Sequence, residues 1–319
     1  MPKWKSYVGI TGFMTKEEGD AVLAVMPHDS KHKLMRGVLV SQKTMRGEQN
    51  KWPNRYPKPK DISGIFTDHP LALNLVHYNT KELSTLCDQM IEVTEISSPH
   101  LHGFQLNIAW PVTDVIEKYR RRYYDMKIVL QIGQHALEQV GHSPEALAKR
   151  LEEYYGLVDY ILIDPSGGLG KALDTDKAKN YLDVLAAEKF RFGFGVAGGL
   201  SSTTLNLVEP LVFYYPNLCI DAEGRLRDEN DHLNIAVARE YVKQALKIFQ
   251  NPKYACQNAR WDIDTFFSSK SKDQAIEAMA RVFPHLKDRG DGTPCLECEI
   301  HYFEQVQSIK DRFFKKLLE

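Results

Sequence analysis

The chain has no excess of charge of either sign. Its 41 Lys and Arg stand against 42 Asp and Glu, a formal net charge of −1 over 319 residues. That balance argues against nucleic acid or an anionic bilayer as the main partner, since both select strongly basic surfaces. No apolar run approaches the roughly 20 residues that span a bilayer. The opening Met1-Pro2-Lys3-Trp4 lacks the apolar stretch of a signal peptide. Cysteine is scarce: five, scattered, are too few for a disulfide framework, so a reducing cytoplasm is the expected setting. The run Arg120-Arg121-Arg122 reads as a solvated helix face.

What is present is a repeating alternation. Short apolar, β-branched or aromatic runs recur about every 30 residues, separated by amphipathic stretches of helical length, the pattern of parallel strands joined by crossover helices. Eight strands are expected: Tyr7 to Phe13, Leu34 to Val40, Leu71 to Tyr78, Gly103 to Ala109, Lys127 to Ile132, Val158 to Asp164, Phe192 to Ala197 and Asn217 to Asp221. Several are apolar nearly throughout, as strands buried on both faces should be. Thr15 with Glu18 forms a capping box, and Ser143 before Pro144 is a cap followed by a first-turn proline. Leu233 to Phe249 reads as a closing helix. Eight strands each followed by a helix predict a (β/α)8 TIM barrel over residues 1–250. Residues 251–319 exceed what a barrel needs. They read as a helical C-terminal extension, with helices near Lys272 to Phe283 and Glu299 to Leu318, either packed on the barrel or offering a surface for a homodimer. The second βα connection, Ser41 to Ile65, is long, basic and proline-rich (Pro53, Pro57, Pro59), which places an extended functional loop at the catalytic rim.

Barrels carry their chemistry at the C-terminal ends of the strands. The sixth strand ends at Asp164 and runs into Pro165-Ser166-Gly167-Gly168-Leu169-Gly170-Lys171, where Gly168 and Gly170 let the backbone approach a ligand and Lys171 supplies a cation. It is not a Walker A loop, which needs another glycine and a Ser or Thr after the lysine. The seventh strand ends in Ala197-Gly198-Gly199-Leu200, followed by Ser201 and an expected helix, which together would form a phosphate cradle. Gly193, Gly195 and Gly198 match G-x-G-x-x-G, but the first two fall inside the strand and the Rossmann reading is set aside. The eighth strand ends in Asp221-Ala222-Glu223-Gly224-Arg225, and Arg225 or Arg227 could contact phosphate. His77 and Asn107 lie near productive strand ends, whereas His100 and His102 precede the fourth strand. At the end of the first strand Gly9 and Thr11 stand where an amidohydrolase-like site would want His-x-His. In the tail, Cys295-x-x-Cys298 with His301 and Cys256 lacks the second close pair of a zinc motif, so no metal site is expected.

These motifs, in their order from about Tyr7 to Asp228, resemble the phosphoribosylanthranilate isomerase family. Gly9-Ile10-Thr11 resembles its first-strand Lys-Ile-Cys-Gly-Ile-Thr, and Gly37 through Lys43-Thr44-Met45-Arg46 resembles its second strand and following Lys-Ser-Pro-Arg. Gln105-Leu106 matches its fourth-strand Gln-Leu, with Asn107 where the family has His. Asp164, Gly168-Leu169-Gly170-Lys171 and Asp174 are similar to its sixth-strand Asp, Gly-Thr-Gly-Lys and Phe-Asp. Ala197-Gly198-Gly199-Leu200 is its Ala-Gly-Gly-Leu, and Asp221-x-x-Gly224 resembles its Asp-Val-Ser-Ser-Gly turn. The resemblance implies a cofactor-free Amadori rearrangement of an aminoribose 5-phosphate, with Asp164 as general acid and Arg46 facing the aromatic carboxylate. Two positions depart. Val8 occupies the place of the cysteine base, and valine cannot accept a proton. Glu223 replaces a small residue of the phosphate turn, and an acid there repels phosphate unless it pairs or points away.

The expectation is therefore an isomerase-like barrel enzyme acting on a phosphosugar or riboside by acid–base chemistry. Asp164 and His77 are its candidate catalytic residues. Arg46, Gly168, Gly170, Lys171, Gly198, Gly199, Leu200, Asp221, Glu223 and Gly224 are its candidate binding residues. The alternatives are a catalytically silent ligand-binding barrel and a lyase or hydrolase of a nucleoside-like substrate.

Overall fold

The apolar runs become strands because both of their faces are covered, one by the barrel interior and one by the helices around it. A computed structural model describes residues 5–165, 171–188 and 190–250. The strands are β1 (Tyr7–Thr11), β2 (Lys33–Ser41), β3 (Ala72–Asn79), β4 (Gly103–Leu106), β5 (Lys127–Gly133), β6 (Tyr160–Asp164), β7 (Gly193–Ala197) and β8 (Cys219–Ala222). All pair in parallel in chain order, and β8 closes on β1 through Gly9↔Asp221, giving the expected (β/α)8 TIM barrel. Gly193 and Gly195 do fall inside β7, which removes the dinucleotide fingerprint.

Alternation along each strand decides what fills the barrel. Tyr7, Met35, Leu75, Val129, Leu162 and Cys219, from six strands, meet in one buried interior cluster. Their neighbours Val8, Leu34 and Ile161 point the other way, to the helix layer. Val8 is fully buried there. The inward residue of β1 at the height assigned to the missing cysteine is Gly9, which corrects the reading that placed Val8 in the site.

Several boundaries move for identifiable reasons. β1 stops at Thr11, short of Phe13, because Gly12 turns to φ +101 and the Gly12 and Phe13 amides both donate to Gly37 O. β4 ends at Leu106 rather than Ala109, since Trp110 takes φ 50. The helix Lys16–Leu23 carries the expected capping box, with Thr15 Oγ1 accepting from the Glu18 amide at 3.2 Å. Ser143 caps Pro144–Leu151 in the same way. The connection after β2 is ordered rather than open: it holds the helix Gln42–Met45, turns of 3-10 helix at Pro53–Arg55 and Pro59–Asp61, and the helix Ile62–Ile65. Its end is pinned by Arg36, fully buried on the outer face of β2, which donates to Ile65 O at 2.8 Å and pairs with Asp20 at 3.2 Å. Of the arginine run, Arg121 and Arg122 are exposed on the helix Thr113–Arg122 as expected, but Arg120 turns back to Leu157 O and Asp159.

The barrel unit comprises Met1–Leu211 and Asn217–Leu246. The expected tail helices, the cysteine pair and the dimer surface fall at 251–319, and Gly168 and Gly170 at 166–170, all outside the described residues. No helix among the described residues is long and apolar enough to cross a membrane.

Strands β4 and β5 approach closely at Gly103, where φ is +152 and an added Cβ would lie 1.9 Å from Lys127 O and 2.6 Å from Lys127 N. Backbone cannot yield there. Gly103→Ala is expected to cost more than about 3 kcal/mol, read as loss of folded protein in thermal unfolding; near-native stability would show that β4 and β5 are not this closely apposed.

Candidate active site

The strand alternation that fills the core with apolar residues ends, at the C-terminal mouth, in a polar layer. Thr11 (β1), His77 (β3), Gln105 (β4), Gln131 (β5), Asp164 (β6) and Asp221 (β8) all point inward and are all buried. They form one hydrogen-bonded chain. Gln131 Nε2 donates to Asp164 Oδ2 at 2.8 Å, and Gln131 Oε1 accepts from His77 Nε2 at 3.0 Å and Gln105 Nε2 at 3.2 Å. Gln105 Nε2 also donates to Asp221 Oδ2 at 3.0 Å, and Thr11 Oγ1 donates to the same carboxylate at 3.0 Å. Because Gln131 presents its carbonyl to His77, the imidazole carries its proton on Nε2. His77 Nδ1 is buried with no partner among the described residues.

Asp221 is the electrostatic centre of this layer. Burial is the main cause that pushes its carboxyl from 3.8 up to about 7, and repulsion from Glu223 and Asp164 adds to it. The hydrogen bonds from Gln105 and Thr11 offset only part of this, because their donors are neutral. The carboxylate also occupies space that belongs to β1: a Cβ on Gly9 would lie 2.9 Å from Asp221 Oδ1. The eighth strand thus delivers a carboxyl group to the position from which a first-strand side chain would project.

The expected cradle lies beside it. Ala197, Gly198, Gly199, Leu200, Asp221, Glu223, Gly224 and Arg225 line one cavity with His77, Gln105, Gln131 and Asp164. Its volume is about 50 Å³, room for a few waters at roughly 10–15 Å³ each. The helix expected directly after Ser201 is absent. Instead Thr204 Oγ1 donates to Gly199 O at 2.9 Å in a tight turn, and 3-10 helix follows at Leu205–Leu207. The cradle therefore offers turn amides rather than a helix N-terminus.

Glu223 is held by a residue that sequence reasoning missed. Arg55, from the folded β2 connection, donates to Glu223 Oε1 at 2.7 Å and forks onto Asp231 at 2.6 and 2.8 Å. The Trp52 ring stacks 4.9 Å from its guanidinium. Two carboxylates share this arginine, and Arg227 adds a second positive charge near both. Arg227, half-buried, donates to Thr11 O, Gly12 O and Asp231 O and braces the two loops.

Other expected residues lie elsewhere. Arg46 lines neither this cavity nor the cleft beside it; it is half exposed and paired with Glu82 at 2.8 Å. Lys171 is exposed and outside the cavity lining. Among the described residues, no group of three or more His, Cys, Asp or Glu is arranged to hold a metal ion. A second, wider cleft of about 760 Å³ opens over the ends of β3, β4 and β5, sharing Gln131 with the cavity. Thr11 and Gln105 stand in the motif matches given above; Gln131 had one signal in the sequence, as a polar residue two positions beyond the inward Val129 at a strand end.

No protein-family model matches the chain, and no curated protein matches it in sequence. Solved structures do match. Phosphoribosyl anthranilate isomerase from Thermus thermophilus superposes with a TM-score of 0.53 at 15% identity, over 76% of this chain and 99% of its own. The enzyme of the same name from Thermotoga maritima gives 0.51 at 18% identity, over 75% and 98%. A phosphoribosyl anthranilate isomerase in complex with reduced 1-(o-carboxyphenylamino)-1-deoxyribulose 5-phosphate gives 0.50 at 16%, over 75% and 98%. At these identities the likeness shows the barrel fold alone.

The raised Asp221 pKa carries a sign for stability. Below about pH 3.8 the carboxyl is protonated in folded and unfolded chains alike. As pH rises through 7 the unfolded chain has already ionised, so the folded state loses on the order of 4 kcal/mol by pH 8. Asp221→Asn keeps the shape and removes that loss. Urea unfolding should show the variant gaining on the wild type from about pH 4 to pH 7 and levelling off above; two parallel profiles would mean that Asp221 titrates as an ordinary aspartate.

Proposed function

We propose that this barrel is an isomerase-like enzyme that acts on the anomeric end of a ribosyl or phosphoribosyl amine by acid–base chemistry between Asp164 and Asp221. The observation that carries the reading is the pair of buried carboxyl groups linked through Gln131 and Gln105 at the mouth. One of them is poised near neutrality. A base works best when its pKa lies close to the operating pH.

The steps balance without any co-reactant. Asp164 gives a proton to the ring oxygen as the C1–O bond breaks and the nitrogen lone pair forms the C1 iminium. Asp221, as carboxylate, removes the C2 proton, and the electron pair forms the C1–C2 double bond while the iminium pair returns to nitrogen. The resulting enaminol gains a proton at C1 and loses one from the C2 hydroxyl, leaving a 1-amino-ketose. His77 positions Gln131 and touches no reacting atom in this scheme. Asp221 thereby supplies the base that the resemblance left missing on the first strand.

Glu223 favours a second reading of the ligand. Locked beside the glycine turn by Arg55, its carboxylate is a hydrogen-bond acceptor where a 5-phosphate would sit, which suits the hydroxyl of an unphosphorylated riboside. The same carboxyl pair would also serve hydrolysis of a nucleoside-like bond.

Turnover of N-ribosyl and N-(5-phosphoribosyl) arylamines to the ketose, followed across pH, tests the proposal. The expected kcat/KM rises with an apparent pKa of about 7. Asp164→Asn and Asp221→Asn should each lower kcat by about 10²–10⁴ while remaining folded. Binding without turnover would instead identify a silent ligand-binding barrel, and wild-type rates in either variant would overturn its assigned role.

A further inference from the structure

The cleft over β3–β5 has the dimensions of a small-molecule site, about 760 Å³ against the roughly 300–1,000 Å³ usual for such pockets. The small cavity beside Asp221 cannot hold both halves of an N-riboside, and Gln131 is common to the walls of both spaces. Above the buried layer of His77, Gln105 and Gln131, the next inward positions of the same strands are Asn79, Asn107 and Gly133. The Asn107 amide donates to Tyr78 O at 3.0 Å, which sets it beside β3. The side-chain amides of Asn79 and Asn107 make no hydrogen bond among the described residues, and Asn107 is only partly exposed. At Gly133 an added Cβ would meet nothing nearer than Asn107 Oδ1 and Asp164 O, both at 4.0 Å, so the floor is open. Ile108 and Ala136 supply apolar wall, and the charges of Lys81 and Glu138 balance.

We infer that this cleft takes the non-ribosyl half of the ligand, and that this half is a neutral ring bearing an amide-type edge. The inference rests on the acid–base reading only for the ribosyl half. A carboxamide side chain presents a donor and an acceptor in one plane and so pairs with an edge offering the complement. A site built to hydrogen-bond in this way rejects analogues lacking the partner group, because its own polar groups are left unpaired. An aromatic carboxylate, in contrast, would look to a fixed cation: Arg46 is held by Glu82 outside the cleft, and Lys81, the cation in its lining, is exposed to solvent.

Two fluorescent compounds differing only at that edge decide the matter: N-ribosyl-2-aminobenzamide and N-ribosyl-2-aminobenzoate. Their dissociation constants are measured by fluorescence titration of the full chain, at equilibrium and so independently of any turnover. The benzamide is expected to bind at least tenfold tighter. Asn107→Leu should weaken it at least tenfold, and Gly133→Leu, whose backbone φ of −79 suits any residue, should exclude it by filling the floor. Arg46→Ala should change neither compound. Tighter binding of the benzoate with loss in Arg46→Ala, equal affinities unaffected by either cleft variant, or no binding of the benzamide at millimolar concentration would each overturn the inference. None of these outcomes touches the separate dependence of turnover on Asp221.

Discussion

The mouth of this barrel depends on one buried carboxyl group. Asp221 sits in space that Gly9 leaves empty, is fastened by Thr11 and Gln105, and is too deeply buried to ionise at the usual pH. A glycine on one strand and an acid on the next are a single steric arrangement: any β1 side chain at that height would collide with the carboxylate. The rest of the layer follows from satisfying that group and its partner Asp164. Two glutamines bridge them, each using its amide hydrogens toward a carboxylate, and His77 supplies the remaining donor. A buried polar network of this kind holds only when nearly every member is paired.

Around that layer the rim is asymmetric. On the β7–β8 side, Arg55 and Arg227 draw the loops after β1, β2 and β8 together, leaving a narrow cavity. On the β3–β5 side, a glycine and two uncommitted amides leave a broad neutral cleft. A ligand with a compact reacting end and a wider, hydrogen-bonding end matches this division. The solved isomerase barrels share the fold at 15–18% identity, and fold alone does not transfer their activity.

Much of this was legible in the chain. Apolar runs such as Ile161-Leu162-Ile163 and Ile128-Val129-Leu130 are buried on both faces and could be little else than parallel strands. Asp164 and Asp221 were marked by their strand-end positions, and Gly198 to Leu200 by the glycine pair. Harder to see were features set by distance. Arg55 and Glu223 lie 168 positions apart, and no local pattern links them. Gln131 looks ordinary until the barrel closes and turns it toward Gln105. The face of β1 was misjudged because a motif match aligns residues, whereas only alternation from Tyr7 decides that Gly9, not Val8, points inward.

The protonation of Asp221 is the claim on which the chemistry turns, and carbon NMR reads it without substrate. With carboxyl-labelled aspartate, assigned through Asp221→Asn, one resonance should titrate with a midpoint about pH 7 and move when Glu223 is replaced by Gln. A midpoint near 4, insensitive to Glu223, would place an ordinary ionised carboxylate at the barrel mouth and remove the proposed base.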